Sequence, residues 1–179
     1  LKVNDEPADV VFANGKAFIS CARAGLIRVF DASTRADLGT ITLTGDYPRA
    51  LCVSEDGTKL FAAFLFSGNR TTVLPASLAP DQPAPTNANL PAPPKTALIV
   101  DASDSRISYT VLDNDVAEID TPTQTVTRYL SDVGTNLFDV AVRPGTEELW
   151  IPNTEALNRT RFEPMLNGHF ADNRVTRIA

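Results

Sequence analysis

Metal-ligating and redox-active side chains are scarce in this chain, which has one histidine and two cysteines among its 179 residues. Cys21 and Cys52 belong to no Cys-x-x-Cys motif, so the sequence offers no zinc cluster and no site for covalent haem. Each cysteine lies in an apolar strand pattern, where a free thiol usually packs as a small hydrophobic group. A disulfide or a reactive thiol is the alternative for this pair.

Positive charge and long apolar runs are also lacking. Sixteen Lys and Arg residues against 22 Asp and Glu residues give a net charge of −6. Clustered Lys and Arg are needed to neutralise phosphates, so we expect no nucleic-acid partner. No apolar run approaches the roughly 20 residues that cross a bilayer as a helix, so we expect no membrane span.

Helical periodicity is absent as well, and 13 prolines spread along the chain oppose long helices. Short apolar runs bounded by turn residues predict four strands in the first part of the chain, over residues 9–12, 17–21, 27–30 and 38–43. The Asn14-Gly15 dipeptide between the first two is typical of a tight hairpin.

This four-strand pattern recurs along the chain. The strand that ends near Phe12 recurs 41 residues later at Val53, and Val53 recurs 89 residues later at Val142. The segment around Val29 recurs at Glu118, again after 89 residues. Four short strands in about 40–50 residues form a β-propeller blade, and the 89-residue step is one blade with an insertion. The sequence therefore predicts an all-β chain, a β-propeller with about three blades of four antiparallel strands.

The predicted boundaries describe one propeller domain that carries two insertions. The domain covers residues 1–179, with blade units at 4–43, 48–130 (insertion 67–113) and 137–178 (insertion 153–172), and with residues 1–3 as the closing strand. Both insertions leave their blades at the same hairpin, which predicts that they lie on one face of the propeller. Long loops on one face of a rigid scaffold are frequent binding sites. Within the first insertion, residues 98–101 and 106–111 are predicted to form an extra hairpin.

Three blades do not close a propeller, because known propellers have four or more and each blade buries its faces against neighbours. Two explanations stay open. The chain is a fragment of a larger six- to eight-bladed protein, or two chains associate as a homodimer with a six-bladed ring. In the dimer, residues 1–3 of each chain would supply the closing strand of its partner.

Two segments resemble the YVTN-type β-propeller repeats of bacteria and archaea, which are related to surface-layer-like and quinoprotein-amine-dehydrogenase-like propellers. They are residues 48–63, with Pro48 and the Asp56-Gly57 turn, and residues 27–34, with an Ile-Arg-Val-Phe-Asp-Ala-Ser-Thr run. Glu55 replaces the usual proline of that turn, and residues 149–154 are closer to the name-giving stretch. The resemblance implies the propeller fold and an extracytoplasmic location, periplasmic or secreted. It implies no single function, because the members of the family are diverse.

Candidate ligand-binding residues lie in the second insertion and at its edges. His169 is the only histidine, and a histidine in a glycine-containing loop can serve as a metal ligand or a general base. The other candidates for binding a ligand or partner are Glu155, Arg161, Glu163 and Asp172. Loop salt bridges and turn caps are the alternative roles for these charged side chains.

Calcium is the one cofactor for which the sequence holds candidate ligands. Carboxylate and amide oxygens suit this cation, and the candidates are Asp113, Asp115 and Asn153. Their spacing lacks the regular Asp-x-Asp-x-Asp-Gly pattern of an EF-hand loop. No other cofactor is predicted.

Three functions remain open, and the sequence leaves undecided whether the chain is an enzyme. The first is a non-catalytic scaffold that binds a protein partner or ligand through its inserted loops. The second is an enzyme with a site in the central channel, either a metal-assisted lactonase-like hydrolase or an oxidoreductase partner of a cytochrome. The third is a structural protein of the cell surface or envelope. A Gly-x-Ser-x-Gly motif for serine hydrolysis is absent.

Overall fold

The computed structural model describes residues 1–160 and 163–179, with Glu163 described by its backbone alone. The chain forms two compact units. The first comprises Leu1–Asn69, Leu112–Leu157 and His169–Ala179, and the second comprises Arg70–Val111 and Asn158–Gly168. No helix in the described part of the chain is long and apolar enough to cross a membrane.

The first sheet contains four antiparallel strands in chain order. They are β1 (Pro7–Ala13), β2 (Lys16–Cys21), β3 (Leu26–Asp31) and β4 (Asp37–Thr42). Asn14 and Gly15 both have positive φ, at 49° and 73°, as the tight turn between β1 and β2 requires. After β3, Asp31 Oδ1 accepts hydrogen bonds from the backbone N–H groups of Ser33 and Thr34, which fixes the next turn.

The middle of the chain supplies the second sheet and a separate two-stranded ribbon. In chain order its strands are β5 (Pro48–Val53), β6 (Lys59–Phe64), β7 (Thr71–Leu74), β8 (Leu98–Asp101), β9 (Val116–Asp120) and β10 (Thr125–Leu130). The second sheet has the order β10-β9-β6-β5, and the ribbon pairs β7 with β8. The first insertion therefore leaves the sheet between its second and third strands.

The third sheet is built around β13 (Leu149–Ala156). On one side β13 pairs with two short strands, β11 (Asn136–Leu137) and β12 (Ala141–Val142); on the other it pairs with β14 (Ala171–Ile178). The first strand of the predicted blade unit 137–178 is therefore interrupted between β11 and β12. The pairing of β13 with β14 runs from Leu149 opposite Ile178 to Ala156 opposite Ala171, so the second insertion begins after Ala156 rather than at Asn153. Residues 1–3 belong to no strand of the described chain.

Two apolar clusters hold the three sheets together. One contains Phe18 and Ile27 of the first sheet, and the other contains Leu137 and Ile151 of the third. The second sheet contributes to both, because alternate side chains of β6 point to opposite faces. Leu60, Ala62 and Phe64 pack in the first cluster, and Phe61 and Ala63 pack in the second. Successive antiparallel sheets packed face to face are propeller blades, so the predicted all-β class and blade architecture are confirmed.

The second compact unit contains the β7–β8 ribbon, one 3₁₀ turn (Ala76–Leu78) and a single helical turn, α1 (Glu163–Leu166). The predicted hairpin between residues 98–101 and 106–111 is wrong, because β8 pairs with β7 and residues 106–111 form no strand. The reason is local. Arg106 makes a 2.7 Å ion pair with Asp104, and the N–H of Ile107 donates to the carbonyl oxygen of Asp104, which holds a turn there.

Candidate functional site

Polar side chains from the second and third sheets meet at the connection between β10 and β11, residues 131–135. Six of them form what we call the loop 131–135 network: Ser67, Asp115, Asn153, Glu155, Arg174 and Thr176. The carbonyl oxygen of Gly134 accepts a 2.6 Å hydrogen bond from Ser67 Oγ. The carbonyl oxygen of Val133 accepts hydrogen bonds from Arg174 Nη2 at 3.0 Å and from Thr176 Oγ1 at 2.9 Å. The network therefore fixes the backbone of this loop.

Asp115 is the buried acid of the network. Its Oδ2 accepts hydrogen bonds from the backbone N–H groups of Val133, at 2.5 Å, and Gly134, at 3.2 Å. Its Oδ1 has no hydrogen-bond partner among the described residues. Burial raises the pKa of this carboxyl to about 7, outweighing the two N–H donors, and the charges of Asp113 and Asp132 add to the rise. The group therefore changes its charge near neutral pH.

Asn153 is buried and links Arg174 and Thr176 within the network. Its Nδ2 donates to Thr176 Oγ1 at 2.8 Å, and its Oδ1 accepts from Arg174 Nε at 2.9 Å. Gly134 packs directly on this side chain, since a Cβ there would lie 2.4 Å from Asn153 Oδ1. Both the nitrogen and the oxygen of the Asn153 amide therefore have hydrogen-bond partners within the third sheet.

Two ion pairs at the start of β14 include three of the charged residues predicted at the second insertion. Arg174 Nη2 lies 3.1 Å from Glu155 Oε2, and His169 Nε2 lies 2.5 Å from Asp172 Oδ1. Glu155 stands opposite Asp172 in the β13–β14 register, so the structure brings three of the predicted residues together. An imidazole held by a carboxylate can accept a proton from a bound group. Among the described residues, the His169 side chain hydrogen-bonds to Asp172.

The remaining predicted residues do not join this group. Arg161 and the side chain of Glu163 lie outside the described residues. Asp113 lies before β9, and its carbonyl oxygen accepts a 2.9 Å hydrogen bond from Ser131 Oγ. Within the described part of the chain, no group of three or more His, Cys, Asp or Glu side chains is placed to hold a metal ion. Calcium binding therefore stays a prediction.

The sequence analysis missed that the thiol of Cys52 in β5 feels the charges of two carboxylates, Asp139 between β11 and β12 and Asp9 in β1. Burial raises the pKa of the Cys52 thiol to about 12, and the charges of Asp139 and Asp9 contribute to the rise. The thiol is therefore protonated at neutral pH and a weak nucleophile. Both Cys52 and the buried Cys21 are free thiols. Asp9 and Asp139 occupy the same position of the repeat, a signal that could have identified them.

Comparisons with known proteins show the fold and no function. No family model matches the chain, and no curated protein matches it. Hydrazine synthase from Kuenenia stuttgartiensis is similar with a TM-score of 0.65 and 19% identity, over 99% of this chain and 40% of that one. A luciferin-regenerating enzyme is similar with a TM-score of 0.50 and 13% identity, over 96% of this chain and 44% of that one. The Swd1 β-propeller domain of Myceliophteria thermophila matches 81% of this chain and 47% of that one, with 13% identity and a TM-score of 0.35. The chain thus spans less than half the length of each.

Proposed function

We propose that this chain is part of a β-propeller that acts as a non-catalytic scaffold and binds a protein partner through its inserted segments. The observation that carries this proposal is that the two insertions form one compact unit. They begin with the same Asn-Arg-Thr sequence, at Asn69 and at Asn158, which occupy the same position of the 89-residue repeat. Long ordered insertions on a rigid scaffold are typical of binding surfaces.

Specific contacts join the two inserted segments. Asn158 Nδ2 donates to Thr71 Oγ1 at 2.9 Å, and Arg159 Nη2 makes a 2.9 Å ion pair with Asp101 Oδ2. These contacts link the second segment to both strands of the ribbon. The unit is therefore suited to present a defined surface rather than a set of separate loops.

That surface includes exposed apolar side chains. Val73 stands opposite Ile99 in the ribbon, and both are exposed. On the opposite face of the ribbon Tyr109 is exposed as well, and its hydroxyl lies 2.7 Å from Thr72 Oγ1. Apolar and aromatic side chains grouped on a surface are characteristic of protein interaction sites. The partner that fits is a protein with an apolar patch of its own.

Two finer parts of the proposal rest on the resemblance found in the sequence. We propose that the chain belongs with the YVTN-type propeller repeats and that it works outside the cytoplasm, in the periplasm or as a secreted protein. The propeller fold agrees with the first part.

The experiment that tests the scaffold function is site-specific photo-crosslinking in the source cells. A photoreactive residue at Val73 and at Ile99 should capture one and the same protein, identified by mass spectrometry. A photoreactive residue at Arg35, in an exposed turn of the first sheet, is the control and should not capture it. Failure at both ribbon positions, or equal capture at Arg35, would contradict the proposal. Calcium retained at one ion per purified chain would favour the channel enzyme instead.

A further inference from the structure

The chain contains the Asn-Gly dipeptide twice, at Asn14-Gly15 and at Asn167-Gly168. Asparagine is chemically labile, and in this dipeptide the backbone nitrogen of the glycine can attack the side-chain amide carbon of the asparagine. Glycine favours the attack because it has no Cβ to hinder the approach and because it adopts a wide range of backbone angles. The dipeptide by itself does not distinguish the two sites.

The two sites also share one backbone conformation. Asn14 and Gly15 have φ values of 49° and 73°, and Asn167 and Gly168 have φ values of 50° and 76°. Both asparagines are thus in the left-handed region, which asparagine tolerates better than most residues. A difference in reactivity between the sites must therefore come from the surroundings of each side chain.

The side chain of Asn14 is held by two hydrogen bonds. Its Nδ2 donates to the carbonyl oxygen of Gly57 at 2.9 Å and to Thr121 Oγ1 at 2.9 Å. Thr121 is fully buried, and its hydroxyl donates in turn to the same carbonyl oxygen at 2.6 Å. Asn14 and Gly15 also form the turn of a paired hairpin, since Ala13 stands opposite Lys16. A ring that includes the Asn14 side chain would break both hydrogen bonds and distort this turn.

Asn167 lacks these restraints. Asn167 and Gly168 are exposed, and they lie after the single helical turn α1 and before β14. In the part of the chain that the structure describes, no side-chain hydrogen bond holds the Asn167 amide. A segment outside the sheets reaches a distorted geometry at low cost in free energy. The amide carbon of Asn167 is therefore accessible to the nitrogen of Gly168.

We propose that Asn167 is a site of spontaneous deamidation and that the fold protects Asn14 from the same reaction. The backbone nitrogen of Gly168 loses its proton to hydroxide and forms a bond to Cγ of Asn167. Solvent protonates the side-chain nitrogen, which leaves as ammonia, and a five-membered succinimide remains. Water then opens either carbonyl of the ring, so that residue 167 becomes aspartate or isoaspartate. One water enters and one ammonia leaves, and no oxidant or reductant is needed.

The products change the segment in which the inserted unit ends. The second compact unit ends at Gly168, and the first resumes at His169. Both products add a negative charge to this segment, and isoaspartate also adds one atom to the main chain at residue 167. Deamidation thus gives the segment an age-dependent change that needs no enzyme. The inference does not depend on what the inserted unit binds.

The test is to age the purified, folded chain and to follow both sites by peptide mass spectrometry. Deamidation raises the mass of a peptide by about 1 Da, and methylation by an isoaspartyl methyltransferase identifies isoaspartate. Asn167 should react at least roughly tenfold faster than Asn14, because two hydrogen bonds must break at Asn14. The reaction at Asn167 should be faster at pH 9 than at pH 6, because the attacking nitrogen must lose its proton.

Two controls separate the effect of the fold from that of the dipeptide. In concentrated urea both sites should deamidate at similar rates, because unfolding releases the Asn14 side chain. Thr121→Val keeps the size of the buried side chain and removes one acceptor of Asn14. In this variant the rate at Asn14 should rise while the rate at Asn167 stays the same. Far-UV circular dichroism checks that the variant is folded.

Equal rates at the two sites in the folded chain, or a slower reaction at Asn167, would overturn the proposal. A rate at Asn14 that urea does not raise would overturn its protection by the fold. A rate at Asn14 that Thr121→Val does not raise would overturn the role of the Thr121 hydrogen bond. These results do not bear on the crosslinking at Val73, so the two proposals fail separately.

Discussion

At the scale of single residues, polar groups replace apolar ones at the junction of the second and third sheets. Asp115 stands at the repeat position of Leu26, and Asn153 stands at that of Phe64. Gly45 packs closely on Phe64, and Gly134 packs equally closely on Asn153. A Cβ on either glycine would lie 2.4 Å from the facing side chain. The backbone is thus conserved within the repeat, while the contact changes from ring packing to hydrogen bonding.

Asp115 predicts a pH-dependent stability. Its pKa is raised from about 3.8 to about 7 in the folded chain, so folding favours the protonated form. The stabilisation is complete below pH 4 and is lost as the pH rises through 7, by about 4 kcal/mol at most. Asp115→Asn keeps an acceptor for the N–H groups of Val133 and Gly134 and cannot ionise. In urea unfolding from pH 4 to pH 8, the free energy of unfolding of the variant should rise relative to that of the wild type as the pH increases. A constant difference across this range would contradict the raised pKa.

Gly134→Ala tests the close contact with Asn153. The new methyl group would overlap the amide, so we expect a loss of about 1–3 kcal/mol in the free energy of unfolding. Gly25→Ala is the comparison, because the space around Gly25 is open and only its positive φ of 66° opposes a side chain. That substitution should cost about 1 kcal/mol. An equal cost at both positions would mean that the Gly134 contact is unimportant.

At the scale of elements, the short apolar strands could be predicted and the polar ones could not. Short apolar runs and the Asn14-Gly15 turn placed β1 to β4 within two residues of their observed bounds. The end of β13 was assigned to an insertion, because Asn153, Thr154 and Glu155 are polar. These residues are in a strand because β14 pairs with them and Arg174 engages Asn153 and Glu155. The β7–β8 ribbon joins segments separated by a proline-rich stretch, a pairing that no local pattern indicates.

The prediction for the strands concerns Arg174 in β14. It links β14 to Asn153, to Glu155 and to the carbonyl oxygen of Val133, so Arg174→Met removes three contacts and leaves the buried Asn153 Oδ1 without a donor. We expect a loss of about 2–4 kcal/mol in unfolding free energy and faster amide exchange in residues 131–135. Arg143→Met is the control and should change little, since the Arg143 side chain is 60% exposed and its partner Glu148 also pairs with Arg177. Unchanged exchange in the loop would refute this role of Arg174.

At the scale of the whole molecule, the repeat predicted the three sheets. The candidate site was predicted only in part. The sequence grouped Glu155, His169 and Asp172 in one insertion, whereas in the structure Glu155 faces Asp172 across the β13–β14 pairing and His169 pairs with Asp172. Asp9 and Asp139 are 130 residues apart, and both act on Cys52 because β1 and β12 each contact β5 in the folded chain. Such a meeting depends on the tertiary structure, so only the alignment of repeat positions could have indicated it.

The division into two units predicts where the chain is cut first by a protease. Lys95 lies in the part of the second unit that has no strand, between the 3₁₀ turn and β8, and its one ion pair, with Asp81 at 3.0 Å, is exposed. An exposed segment outside sheet hydrogen bonding adapts readily to a protease active site. Trypsin at low concentration should therefore cleave first after Lys95, and Lys95→Gln should abolish this early cut. Because β7 and β8 stay paired on either side of the cut, the nicked chain should keep its circular dichroism and remain one species under native conditions. Early cleavage at Arg35 or Arg106, or unfolding of the sheets on nicking, would show that the inserted unit is not a separate folded body.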